Sequence, residues 1–202
     1  ELLKSPKIWE AMLPTLGTTA LIRNLANMTR IGLIGQTGNT KKYVMERLTD
    51  QTEIQKGRIH PLNALAAQRT YASGHGLRGT NTWSPVSGIV SALEETFYLA
   101  FKNVEPTGKS RGIFLDTSGS MSAASPVEGL TCRDIAAVMS MVTVRTEADT
   151  VVRGFSSTGG YWASRDSGIQ DLGVTKNDSL NEVIRKVSAS NWGGTDCSLP
   201  MV

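Results

Sequence analysis

The stretch GIFLDTSGSM, residues 112–121, sets one carboxylate and two hydroxyls at alternate positions: Asp116, Ser118 and Ser120. Ile113, Phe114 and Leu115 lead into them and read as a short buried strand, with apolar cover wanted on both faces. Gly119 lets the backbone turn sharply where that strand runs out. Three oxygen-bearing side chains on one loop suit a hard cation or a phosphate better than a core. Mg²⁺ takes about six oxygens at ~2.1 Å and tolerates little distortion. One carboxylate and two hydroxyls fill three of those positions with a single negative charge. The ion would stay electron-poor, with water or an incoming anion completing its shell, and Asp116 would bind it directly or through a water. Further along, GGTDC (193–197) offers Thr195 as another hydroxyl, and Gly193 and Gly194 give that loop room to approach. The competing reading is a Ser-rich turn that caps itself.

Two kinds of text surround these residues. Up to about residue 108 the chain reads as helices. Pro14 opens the first, with Leu21, Leu25 and Met28 at helical spacing, and Thr40 caps a second carrying Val44 and Leu48. Pro61 opens a third with Leu62, Leu65 and Ala66 on one face. Ser84 and Pro85 start a fourth with Val86, Ile89, Val90, Leu93, Phe97 and Phe101. NVEPTGKSRG (103–112) breaks the pattern with Pro106 and Gly108. Strand and helix then alternate: Ile135, Val138, Met139 and Val142 form a helical stripe, TVVRGF (150–155) a second strand, and GYWAS a shorter one. Leu180, Val183, Ile184 and Val187 mark a last helix, with Asp178 as its cap. Such alternation implies a largely parallel sheet, whose sites lie at the carboxyl ends of strands, where Asp116 stands.

The 202 residues are 40% hydrophobic, enough for one or two cored domains. No run approaches the ~20 apolar residues of a membrane span. The chain opens on Glu1 and stops just after GGTDC, so it reads as a segment of something longer. Cys132 and Cys197 are too few for a disulfide framework and read as reduced thiols, which makes the expected location cytoplasmic. Residues 1–110 hold 13 Lys/Arg against 8 Asp/Glu, whereas residues 111–202 hold 8 against 10. A basic half joined to a mildly acidic one suggests two domains with different partners.

The alternate Asp-Ser-Ser loop after a first strand, with a later loop Thr, resembles the metal-ion-dependent adhesion site of von Willebrand factor A domains. That resemblance makes Asp116, Ser118, Ser120 and Thr195 the ligands of Mg²⁺ or another divalent cation. The family's further Asp finds no match before Val202, and Asp196 is only a weaker substitute. RIHPLNALAAQRTYASGHGLRG, ALEETFYLAFKNVEPTGK, DTSGSM and GGTDCSLPM together resemble the TROVE family over most of residues 14–202. The fold this implies is α followed by α/β: HEAT-like helical repeats over 1–108, then the first half of a Rossmann-like von Willebrand A domain over 109–202. The resemblance further implies a monomeric ring that binds Y RNA or another small noncoding RNA. The ring would accept the single-stranded 3′ ends of misfolded RNA, in RNA quality control, with an exoribonuclease as an open partner and no membrane. A protein-adhesion module built on the same ion is the alternative.

Arg23 and Arg30 lie seven residues apart on one helical face and, with Lys41 and Lys42, could track phosphates; a solvated face is the plainer reading. His75 and Arg78 share the Gly-rich GHGLRG loop and could meet a phosphate or base. Trp83, Trp162 and Trp192 could stack on bases, although Trp83 reads as packing. No enzyme is expected. TGKS (107–110) lacks the first Gly of a phosphate loop and precedes a strand. Ser118 stands where a phosphohydrolase would need a second Asp, and neither histidine is near the serines in sequence.

Overall fold

The apolar spacing of Leu21, Leu25 and Met28 becomes the buried side of a helix in the computed structural model, which describes residues 4–76, 80–157, 168–190 and 193–201. Two compact units divide between Val104 and Glu105. In the first, α1 (Pro6–Met12), α2 (Thr18–Arg30), α3 (Asn39–Thr49), α4 (Gln51–Lys56), α5 (Pro61–Ser73) and α6 (Ser87–Leu99) follow one another. Leu21, Leu25, Met28, Val44, Leu48, Ile89 and Leu93 are all but fully buried and form one core. Each such side chain contributes about 1.5–3 kcal/mol relative to exposure. Both α3 and α5 pack on α6.

The helix starts differ from the sequence expectation in physically legible ways. Pro14 sits in a short 3₁₀ turn (Leu13–Thr15), and extended Gly17 separates that turn from α2. Gly38, at φ 114°, precedes α3 where Thr40 was expected to cap. Ser84 caps nothing: α6 begins at Ser87 because Val86 is drawn into the core in extended conformation. Along α5 the buried positions are Pro61, Ala64, Leu65 and Tyr71, with Leu62 and Ala66 only half covered. His60 caps that helix, its Nδ1 accepting the Leu62 N–H at 3.2 Å. Neither α1 nor α4 was expected; α4 is capped by the Asp50 carboxylate, which accepts from Thr52 and Glu53.

The second unit runs β1 (Arg111–Asp116), α7 (Cys132–Thr146), β2 (Thr150–Phe155), β3 (Ile169–Asp171) and α8 (Leu180–Ser188). β1 and β2 are parallel, in register from Arg111 opposite Thr150 to Asp116 opposite Phe155. β3 pairs antiparallel to β2, with Phe155 opposite Ile169, so the sheet of the described residues is mixed, its longer pairing parallel. The GYWAS stretch lies outside the described residues. Among the described residues the order is β1-β2-β3; along β1, Ile113 and Phe114 are half covered and Leu115 is buried. α7 packs on both β1 and β2, burying Ala137, Val138, Met141 and Val142. Met139, expected in the stripe, is 42% exposed. Capping boxes start both helices, Thr131 with Asp134 and Ser179 with Glu182. Ser179 therefore holds the place expected of Asp178, whose carboxylate instead accepts from Lys186 at 2.7 Å. Both cysteines are free thiols, and no helix among the described residues is long and apolar enough to cross a membrane.

Candidate metal centre and basic faces

β1 delivers Asp116 to the carboxyl end of the sheet, and the chain then folds back on itself. The Ser118 N–H donates to Asp116 Oδ1 at 2.8 Å, which fixes the carboxylate against its own loop. Thr117 anchors that loop to β2, its N–H and its hydroxyl both donating to the Phe155 carbonyl at 3.0 Å. The fit needs Gly154, since a Cβ there would lie 2.8 Å from Thr117 Cγ2. A single turn of 3₁₀ helix (Gly119–Ser122) carries Ser120 round to Ser118, whose hydroxyl oxygens sit 3.1 Å apart. Adjacent corners of an octahedron with ~2.1 Å bonds lie about 3.0 Å apart, so the pair has the spacing of neighbouring Mg²⁺ ligands. Ser118 is buried and Ser120 exposed, which leaves the group open on one side.

The GGTDC segment comes to the same place. The Gly119 N–H donates to the Gly193 carbonyl at 3.3 Å, and the Ser157 N–H to that of Gly194 at 2.9 Å. Thr195 follows directly and is exposed. Asp196 does not join the group: its Oδ1 accepts the Ser198 hydroxyl at 2.6 Å and the Ser198 N–H at 3.0 Å. Those bonds hold its carboxyl below the ordinary range, as a cap on its own turn. Among the described residues no three His, Cys, Asp or Glu side chains gather, so any ion here would rest on hydroxyls and one carboxylate. That donor set fits a hard cation and suits neither zinc nor copper.

Sequence reasoning missed Arg133. It is 3% exposed at the start of α7, and its guanidinium donates to the carbonyls of Ser118 (2.9 Å) and Thr117 (3.3 Å). Burial pulls its pKa down, while the nearby Asp134 and Asp116 carboxylates work the other way. Arg133 thus pins the main chain of the loop and sets a positive charge behind it. No sequence signal marks such a contact, because its partners are backbone carbonyls.

The basic residues of the first unit do not form one track. Arg23 lines a groove of about 540 Å³ between α2 and α5. Arg30 lines another beside Trp83, its guanidinium donating to Asn27 Oδ1 at 2.7 Å. Lys41 and Lys42 border a third; Lys41 donates to the Gln36 carbonyl at 2.8 Å, and Lys42 lies 3.9 Å from Glu46. That last pair is exposed and worth little. His75 is exposed and bridges Thr82 across its loop. Arg78, Trp162 and Trp192 lie outside the described residues. Trp83 stacks on Tyr71 at 6.2 Å between ring centroids and donates its indole N–H to the Tyr71 carbonyl.

Comparison with known proteins places the two units separately. The TROVE domain matches residues 1–70 and the Ro60 vWA domain residues 112–202. The chain is 40% identical over 202 residues to the RNA-binding protein RO60 of Deinococcus radiodurans, covering 98% of this chain and 36% of that one. It is 38% identical over 200 residues to the protein of the same name from Caenorhabditis elegans, covering 98% of this chain and 29% of the relative. The crystal structure of the Deinococcus radiodurans RO (RSR) protein superposes with a TM-score of 0.86, at 40% identity, over 98% of this chain and 38% of that one. The chain therefore spans about a third of the length of these curated relatives.

Proposed function

Because the chain belongs to the TROVE family of Ro60-type proteins, we propose that it binds RNA and that its helical unit makes the contacts. The observation that carries this reading is 40% identity over nearly the whole chain to a relative named as an RNA-binding protein. The surplus of basic residues before the junction supports it, since phosphates reward positive charge irrespective of sequence. The ligand is a small noncoding RNA of the Y type, together with single-stranded 3′ ends of misfolded RNA. The setting is a ring-shaped cytoplasmic particle engaged in RNA quality control, to which an exoribonuclease could dock. Contacts fall to Arg23, Arg30, Lys41, Lys42 and the loop that holds His75 and Arg78. Arg23 leads, because its guanidinium has no partner among the described residues.

The second unit holds Mg²⁺ or a similar cation through Asp116, Ser118, Ser120 and Thr195. When bound, the ion would supply an electron-poor centre for an anionic oxygen. The protein is not an enzyme: the serines are ligands, and both histidines lie in the helical unit. Filter binding of a single-stranded RNA across a salt series tests the reading. Arg23→Ala combined with Arg30→Ala should weaken single-stranded RNAs of unrelated sequence alike. It should also flatten the log–log salt dependence by about 1.4, at ~0.7 for each lost single-strand contact. A wild-type chain that retained no RNA at any salt concentration would overturn it.

A further inference from the structure

The groove between α2 and α5 has a composition that general phosphate tracking does not need. Its floor is apolar, with Ile22, Ala26, Ile59 and Ala66 among the lining residues, and Trp83 stands at its side. Its volume, about 540 Å³, is that of clefts which enclose small ligands. Two guanidinium groups, Arg23 and Arg58, and the Asn63 amide line the same space. All three side chains are exposed and have no hydrogen-bond or ion-pair partner among the described residues. Nearby carboxylates are spent elsewhere: Glu53 holds Arg47 at 2.9 Å and Lys56 at 3.2 Å, and no acidic residue lines the groove.

The backbone reinforces the arrangement. Arg58 adopts φ 47°, the one left-handed non-glycine conformation among the described residues. A bulky side chain in that region is strained, and such strain collects at ligand sites. Gly57 beside it is closely packed, a Cβ there lying 3.2 Å from Thr18 Cβ and from the Glu53 carbonyl oxygen. Trp83 is fixed by its stack on Tyr71 and its indole hydrogen bond. An anion-binding pair, a neutral amide, an apolar floor and an anchored indole in one cleft match a ligand that is half phosphate and half flat ring.

We infer that this groove is a nucleotide site: Arg23 and Arg58 take a phosphate, the Asn63 amide meets a base edge, and the base rests on the apolar floor beside Trp83. The inference rests on the RNA-binding reading for its source, an unpaired nucleotide of a single strand. A free nucleoside monophosphate offers the same chemistry. Base stacking on an aromatic side chain and guanidinium–phosphate pairing would each contribute, and neither asks for a particular base sequence.

The test uses the full chain and three probes: a labelled single-stranded hexauridylate, a labelled blunt RNA duplex and UMP. Arg58→Asn keeps a residue that tolerates the left-handed backbone. Combined with Arg23→Gln, it should weaken hexauridylate about tenfold or more and leave the duplex nearly unchanged. Ala66→Leu keeps both charges but fills the floor, and should weaken hexauridylate comparably. Unchanged thermal midpoints would show that both variants fold. Binding of UMP that the same variants abolish would add the free nucleotide as a source; binding of hexauridylate alone would assign the site to RNA. Wild-type affinity for hexauridylate with no loss in either variant would overturn the nucleotide site and leave RNA binding standing. A loss in the arginine variant with none in Ala66→Leu would overturn it too, in favour of charge alone. Failure of the wild type to bind any of the probes would remove both readings.

Discussion

At the scale of single residues, the two serine hydroxyls 3.1 Å apart beside a pinned carboxylate are the centre of the account. If they hold a cation, a folded-state ligand stabilises the fold by mass action, by about 2.7 kcal/mol at a hundred times its dissociation constant. Mg²⁺ should therefore raise the unfolding temperature of the second unit by several degrees in wild type and leave Asp116→Ala unmoved. A rise of the same size in Asp116→Ala would put the ion elsewhere. The gathering of Asp116, Ser118 and Ser120 on one loop was legible in the sequence from their alternate spacing. Thr195 was legible for its glycines, and its segment does meet the loop through Gly193 and Gly194. Arg133 was not, since a guanidinium aimed at two main-chain carbonyls 15 and 16 residues back leaves no pattern to read. Arg58 was hidden for a similar reason: its conformation is set by the turn after α4, not by its side-chain type.

At the scale of elements, buried faces were easier to foresee than ends. Leu21, Leu25 and Met28 announce α2 by period alone, and Val183 and Val187 do the same for α8. Starts depend on which competing residue wins a local bond. Ser84 and Pro85 make a plausible entry to α6, but burying Val86 outweighs it. The junction is tied down by one acid at the end of α7. The Glu147 carboxylate accepts the Thr107 hydroxyl at 2.6 Å, the Thr107 N–H at 2.9 Å and the Gly108 N–H at 3.1 Å. These bonds, led by the Thr107 hydroxyl, hold its pKa below the ordinary glutamate value. A depressed carboxylate stabilises the fold above its unfolded pKa, about 4.3, and the contribution fades as pH falls through the lower folded value. Glu147→Gln should thus melt below wild type at pH 7, and the gap should close towards pH 3. A gap that stayed constant across that range would mean the charge of Glu147 does not matter to the junction.

At the scale of the whole molecule, the charge asymmetry of the sequence meets two compact units with unlike chemistry. The helical unit carries the surplus of Lys and Arg and a groove with two unengaged guanidinium groups. The α/β unit carries the hydroxyl–carboxylate loop at the end of its first strand. If the two tasks are separate, losing the ion should leave RNA affinity alone. Fluorescence anisotropy of a labelled single-stranded RNA, titrated with wild type and Asp116→Ala in Mg²⁺ and again in EDTA, measures this directly. Within each buffer, wild type and Asp116→Ala should give superposable curves, Mg²⁺ acting only as added salt, with binding lost only when salt is raised or the arginines are removed. Abolition of binding by EDTA or by Asp116→Ala, with Arg23→Gln and Arg58→Asn harmless, would contradict it.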